Sequence, residues 1–280
     1  MRFRDYKITF TQELVPWYDE KEIESFFYIV FQSFHHKKRI DLALQPEMEM
    51  DALQLLRWEA VLSDLKKHKP IQYIIGETEF FGLSFLVNEN VLIPRPETEE
   101  LVELVLSNKN TSITTILDIG TGSGCIPIAI KKNWPSAEVY AIDVSEKALV
   151  TAMKNAEIHK SEVVFELKNI LETNDLGRQF DVIISNPPYV RNMEKAEIKP
   201  NVIEYEPHLA LFVEDDNPLL FYRKIAQLAL KNLSPNGKLY FEINQYLGKE
   251  TVELLSELQF SAVELRKDIY GNDRILVASR

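Results

Sequence analysis

Residues 118–124 read Asp118-Ile119-Gly120-Thr121-Gly122-Ser123-Gly124, between an apolar run, Thr114 to Ile119, and a helical pattern over residues 125–133. A glycine-rich turn from strand to helix lets backbone approach a ligand, and the free amides at the helix start suit negative charge. Dinucleotide sites share this pattern. Two features set this turn apart from a phosphate cradle: the tight Gly-x-Gly-x-Gly spacing, and an acid two residues before the first glycine. Asp118 suits the amino group of an aminocarboxyl ligand better than it suits a pyrophosphate.

Working outward, strand-like runs alternate with helical patterns. The runs are Thr114–Ile119, Glu138–Val144, Val163–Leu167, Phe180–Ser185, Lys238–Ile243, Ala262–Lys267 and Arg274–Ala278, and the helical patterns cover 125–133, 146–159, 218–232 and 247–258. This alternation specifies an α/β fold, a seven-stranded and mostly parallel sheet with helices on both faces. Only Asp268–Asp273 separates the last two runs, too little for a helical crossover, so they should form an antiparallel hairpin.

Toward the other end the pattern changes. Ile23, Phe26, Phe27, Val30, Phe31 and Phe34 recur at helical spacing, and Met50, Leu53, Leu56, Trp58, Val61, Leu62 and Leu65 mark a second helix between Pro46 and Pro70. Residues 73–95 read as a β-hairpin linker turning at Gly82 and ending in Pro94-Arg95-Pro96, after which Glu97–Leu106 starts a helix with acids in its first turn. The expected organisation is a small helical domain over 1–72, the hairpin over 73–95, and the α/β domain over 96–280.

The 280 residues carry 32 Lys plus Arg against 43 Asp plus Glu, a formal charge of −11. That balance argues against affinity won by neutralising nucleic-acid phosphates, so no direct nucleic-acid binding is expected. The single cysteine, Cys125, and five scattered histidines offer no zinc spacing, and no metal is expected. The start resembles no signal peptide, and the longest apolar run, Phe26–Phe31, is far short of a membrane span of roughly 20 residues. A cytoplasmic monomer without membrane attachment is the expectation.

Two further constellations carry chemistry. Asp143 ends the second strand candidate, 19 residues beyond Gly124, where a carboxylate can accept hydrogen bonds from both ribose hydroxyls. It serves a nicotinamide cofactor or S-adenosylmethionine equally, and could instead cap the helix that begins near Ser145. Asn186-Pro187-Pro188-Tyr189 follows the strand Asp181–Ser185 directly. Two prolines fix the backbone, remove two amide donors and leave carbonyls free to accept. Asn186 adds a side-chain carbonyl and Tyr189 an aromatic face, together a receptor for a planar NH2 group.

These three features together resemble the S-adenosylmethionine-dependent methyltransferases that act on amino nitrogens conjugated to planar systems, a class that includes adenine-methylating and glutamine-amide-methylating enzymes. A finer resemblance lies in Gln72-Tyr73-Ile74-Ile75-Gly76-Glu77, Glu79-Phe80-Phe81-Gly82-Leu83 and Val91 to Glu99, then in Tyr205-Glu206-Pro207, Phe221-Tyr222-Arg223 and Gly271-Asn272-Asp273-Arg274. Over residues 70–280 the chain resembles the release factor glutamine methyltransferases, the HemK/PrmC family. The resemblance implies a Rossmann-like methyltransferase domain joined through the hairpin to a helical domain. It also implies methyl transfer from S-adenosylmethionine to N5 of the glutamine in the Gly-Gly-Gln motif of peptide chain release factors, leaving S-adenosylhomocysteine.

On that resemblance the cofactor contacts are Asp118, Gly120, Thr121, Gly122, Ser123, Gly124, Asp143, Asn169, Ile170 and Asn186. Asn186, Pro187, Pro188 and Tyr189 bind the substrate, with Asn186, Pro187 and Tyr189 catalytic and Tyr189 stacked on the amide plane. One position departs from the family: Asn169 stands where an Asp usually holds the adenine amino group, and it keeps an acceptor without the charge. The helical domain is the candidate grip on the protein substrate. An N6-adenine-type nucleic-acid methyltransferase and a cofactor-binding regulator without catalysis remain the alternatives.

Overall fold

In a computed structural model describing residues 1–109 and 114–280, the run ahead of the glycine turn forms strand β1 (Thr115–Ile119). The chain divides into two compact units, residues 1–76 with 199–205, and residues 77–198 with 206–280. In the second unit β1 is joined by β2 (Glu138–Asp143), β3 (Val163–Leu167), β4 (Phe180–Ser185), β5 (Leu233–Glu242), β6 (Ser261–Lys267) and β7 (Asp273–Ser279). The sheet order is β6-β7-β5-β4-β1-β2-β3. The pairs among β1 to β5 are parallel, whereas β7 runs antiparallel to both β5 and β6. The short Asp268–Asp273 connection therefore makes the expected hairpin.

Successive residues of the central strands serve opposite faces, which is why both faces of them are largely apolar. Leu117, Ile183, Leu239 and Phe241 pack against Tyr222, Ile225 and Ala226 of the helix Leu220–Asn232, and against Leu254 and Leu255 of Gly248–Glu257. Their neighbours Ile116, Val182, Ile184 and Tyr240 pack on the other face with Leu101 and Val105 of Pro96–Ser107, and with Ile126 and Ala129 of Cys125–Asn133. Each such aliphatic side chain taken from water contributes roughly 1.5–3 kcal/mol. Because β1 is flanked by β2 on one side and β4 on the other, the sheet order reverses there and a crevice opens at the strands' carboxyl ends.

The first unit holds the helices Phe3–Leu14, Glu20–His35, Arg39–Leu44, Ala52–Leu65 and Ile71–Ile75. Asp19 caps the second by accepting from the amides of Lys21 and Glu22, and Asp51 caps the fourth through Gln54. Phe3, Phe10, Phe27, Phe31 and Trp58 form its buried aromatic centre. The inward stripe of Ala52–Leu65 is Trp58, Val61, Leu62 and Leu65, so Leu53 and Leu56, expected on that face, point outward and are exposed. Residues 199–205 join this unit, with the Tyr205 hydroxyl donating to the Lys67 carbonyl at 2.7 Å. Local patterning gave no hint of this excursion.

Strand pairing in the hairpin starts at Glu77, since Ile71–Ile75 closes as a helical turn at Gly76. Glu77–Phe80 pairs with Leu83–Leu86 around Phe81 and Gly82, both in the left-handed region that a two-residue hairpin turn demands. Asn155, fully buried in the helix Glu146–Ile158, accepts from the Leu86 amide at 2.7 Å. It also donates to the carbonyls of Leu86 at 3.0 Å and Ser123 at 2.9 Å, fastening hairpin and glycine turn to one side chain. Asn155→Ala leaves an amide and two carbonyls without these partners, and should lower unfolding stability in urea titration by about 2–4 kcal/mol.

Candidate active site

At the carboxyl ends of β1, β2 and β4 lies a crevice open to solvent. Gly120 and Gly122 line it, both in the left-handed region with open space where a Cβ would stand, so the turn leaves a cradle that only backbone borders. Gly124 plays a different part. A Cβ there would lie 3.1 Å from Ala152 Cβ and Ile128 Cδ1, so its bareness allows close helix packing behind the turn.

Asp143 lines the crevice at the tip of β2. One carboxylate oxygen accepts from the Gly122 amide at 2.9 Å and the other from the Ser145 amide at 2.8 Å. Burial raises its pKa, and these backbone donors oppose the rise. Each oxygen keeps a lone pair for a further donor. The cap of the following helix is Ser145, whose hydroxyl accepts from the Ala148 amide, so Asp143 is left for other work.

Of the remaining expected cofactor contacts, Asn169, Ile170 and Asn186 line the crevice, and Asp118, Thr121, Ser123 and Gly124 lie outside its lining. The Asn169 side-chain oxygen already accepts from the Leu171 amide at 3.1 Å, which fixes the side chain in the turn and leaves one lone pair. Asp118 is wholly buried, and neither carboxylate oxygen has a hydrogen-bond partner among the described residues. Burial pushes its carboxyl up to about 7, and Asp143 adds to the rise; the nearby Thr121 hydroxyl opposes it.

Asn186, Pro187 and Pro188 also line the crevice, whereas Tyr189 does not. The expected stacking face is turned elsewhere: the Tyr189 ring packs against the core on one side of the sheet, and its hydroxyl donates to Glu242 Oε1 at 3.1 Å. Glu242, on β5 and 1% exposed, accepts from the Thr98 hydroxyl through Oε2 at 2.6 Å. Thr98 in turn accepts from Asn186 Nδ2 at 3.3 Å. Asn186 Oδ1 and the Pro187 carbonyl have no hydrogen-bond donor among the described residues. The loop therefore offers two acceptors from adjacent residues.

Sequence reasoning missed much of the wall. Asn90, Val91 and Leu92 contribute from one stretch, Pro207, Leu209 and Ala210 from another, and Phe221 and Ile225 from a helix. Glu206 ties the first two stretches together: it accepts from the Ile93 amide at 3.1 Å and pairs with the Arg95 guanidinium while buried. Arg95 thus holds the crevice's shape from outside its lining. Val91 to Glu99 and Tyr205-Glu206-Pro207 stood out by resemblance alone, since no periodicity marks a wall built from loops.

Between pH about 4 and 7 the folded chain holds a proton on Asp118 that the unfolded chain has released, so stability falls as pH rises through that window. Asp118→Asn should accordingly match the parent below pH 4 and exceed it by up to about 4 kcal/mol at pH 8 in ligand-free chemical denaturation. Equal stability at both pH values would show that the carboxylate is not strained.

The model of the methyltransferase small domain matches residues 98–208, and that of the PrmC N-terminal domain matches residues 18–76. The release factor glutamine methyltransferase of Flavobacterium psychrophilum is 62% identical over 281 residues, spanning 99% of this chain and 98% of that protein. That of Bacteroides thetaiotaomicron is 43% identical over 270 residues, 96% and 97% of the two chains. Among solved structures a methyltransferase from Pyrococcus furiosus aligns with a TM-score of 0.53 at 21% identity, over 71% of this chain and 90% of its own, a likeness of fold. Relatives this similar along almost their whole length place the chain in the family of release factor glutamine methyltransferases.

Proposed function

We propose that the protein transfers the methyl group of S-adenosylmethionine to the side-chain amide nitrogen of a glutamine in peptide chain release factors, in their Gly-Gly-Gln motif. The observation that carries this reading is that Asn186 and Pro187 line the crevice that the glycine turn also lines, and that Asn186 Oδ1 and the Pro187 carbonyl have no donor among the described residues. The chain's relatives are named for the same substrate class.

The residues present suit the cofactor. Asp143 has a free lone pair on each oxygen for the ribose hydroxyls, and Gly120 and Gly122 leave room for close backbone approach. Asp118, a buried carboxylate without a hydrogen-bond partner among the described residues, is the acid available to an ammonium group. Ile170 offers an apolar surface and Asn169 one acceptor to the adenine. When bound, S-adenosylmethionine supplies an electrophilic methyl group on a sulfonium.

The chain's own contribution is positioning and charge stabilisation. An amide nitrogen is a weak nucleophile because its lone pair is delocalised into the carbonyl. Asn186 Oδ1 and the Pro187 carbonyl accept from its two N–H groups and fix the direction of attack. As positive charge grows on nitrogen both hydrogen bonds strengthen, so they stabilise the transition state more than the ground state. The excess proton, made acidic by the transfer, leaves through these acceptors to water. No dedicated base is required. Pro187 and Pro188 hold the loop so that the two acceptors do not have to be ordered when substrate arrives. The helical unit, which the PrmC N-terminal model matches, supplies a second surface for gripping the release factor.

Incubating the protein with S-adenosylmethionine and a purified release factor should add one methyl group to the Gly-Gly-Gln glutamine in peptide mass spectrometry, and none to a Gln→Ala factor. Asn186→Ala should lower turnover about 100-fold or more while leaving cofactor binding within a few-fold. Cofactor binding without methylation of any release factor would overturn the reading in favour of another amino-group substrate.

A further inference from the structure

Glu242 is an ionisable group buried at the end of β5, and a buried acid is costly unless hydrogen bonds and opposite charge offset its desolvation. We propose that Thr98 and Glu242 are positioning residues whose linked hydrogen bonds decide which end of the Asn186 carboxamide faces the crevice. This rests on the reading of Asn186 as acceptor for the substrate NH2.

The two ends of a carboxamide have nearly the same shape and exchange by a half-turn about the last side-chain bond. Only one orientation presents oxygen to the incoming NH2; the other presents a donor, and the two sets of protons oppose each other. The loop alone does not choose between them, because prolines fix backbone rather than the Asn186 side chain. Thr98 makes the choice. A hydroxyl has one proton, and that of Thr98 goes to Glu242 Oε2 at 2.6 Å, a short bond of the charge-assisted kind. Toward Asn186, 3.3 Å away, Thr98 has only lone pairs left, so it accepts Nδ2 and repels Oδ1. Asn186 Oδ1 is consequently turned to the side without a protein donor. Were the Thr98 proton free, it would bond Oδ1 equally well and hold the wrong end.

The carboxylate that polarises Thr98 is kept in place from its other side. Tyr189 donates to Oε1. Burial raises the Glu242 pKa, and the Thr98 and Tyr189 hydroxyls and the positive charge of Arg274, itself paired with Asp268, oppose that rise. Thr98 stands in the first turn of the helix Pro96–Ser107, Glu242 at the end of β5, and Asn186 just beyond β4, so three separate elements fix one side-chain rotation. Tyr189, from the same tetrapeptide as Asn186, closes the circuit on Glu242 rather than facing the crevice.

The test compares Thr98→Val, which keeps shape and loses the hydroxyl, with Thr98→Ser, which keeps the hydroxyl, and with Glu242→Gln. Steady-state methylation of a release factor gives kcat and KM, and the side-chain amide signals of Asn186, identified by their loss in Asn186→Ala, report its hydrogen bonding by NMR. Thr98→Val should lower kcat about tenfold with KM for S-adenosylmethionine within about twofold, and its Asn186 amide protons should exchange faster. Thr98→Ser should restore both properties, and Glu242→Gln should lower kcat by roughly threefold or more while leaving the Asn186 amide in two populations. Parent-like kcat and amide signals in Thr98→Val, or a Thr98→Ser as impaired as Thr98→Val, overturn the proposal. Should Glu242→Gln not fold, the threonine pair decides alone. Amide signals that change as expected in a protein whose parent methylates no release factor would uphold the hydrogen-bond relay and reject the substrate assignment.

Discussion

The parallel pairing of β1 with β2 on one edge and β4 on the other fixes where everything else can go. Register makes Ile119 the partner of both Ile142 and Ser185, so the three strands end nearly level. The glycine turn, Asp143 and Asn186 each lie just past or at one of those ends, and so are brought to one crevice by backbone hydrogen bonding alone. A slip of two residues in either pairing would keep the apolar faces matched and still pull one of the three out of reach. The apolar faces thus hold the strands in one sheet, and the register of their backbone pairing sets the site's geometry.

Two buried acids show how the same burial serves different ends. Asp118 lies beside the glycine turn without a hydrogen-bond partner among the described residues, and burial raises its carboxyl to about 7. Glu242 is as deeply buried but holds two hydroxyl donors and the field of Arg274. The first is left without donors, and the second is supplied with them by the protein itself. A preformed acceptor set is useful for an amide substrate, whose weak nucleophilicity leaves little driving force to spend on ordering the receptor.

How much of this was legible beforehand depends on the kind of signal. Seven strands, the final hairpin and the helix over 125–133 follow from period and turn chemistry, and they appear within a residue or two of their expected ends, apart from β5. That strand begins at Leu233 rather than Lys238, because Ser234 to Gly237 bulges out between two paired stretches, and a Pro-Asn-Gly sequence reads as a turn. Asn186, Pro187 and Pro188 reach the crevice because a strand end determines their position. Tyr189 does not, since the destination of its ring depends on Glu242, 53 residues later. Glu242 and Asn155 carry no local signal, and Thr98 stood out only within the stretch Val91 to Glu99 that resembles the family: each is a polar residue in a helix or strand whose meaning lies in partners far along the chain.

That distribution has a physical basis. Apolar periodicity is read locally because one face of an element meets water and the other does not, whatever it packs against. A buried polar side chain is specified by the opposite condition, since it survives only where distant groups meet its donors and acceptors. Asn155 binds a hairpin 69 residues earlier, and Glu242 binds a threonine 144 residues earlier. A site that must aim a hydrogen-bond acceptor needs such long-range polar contacts, because apolar packing fixes where a side chain sits and leaves the two ends of a carboxamide nearly equivalent. The orientation of Asn186 is thus the property of this fold that rests most on its tertiary structure and least on any short stretch of its sequence.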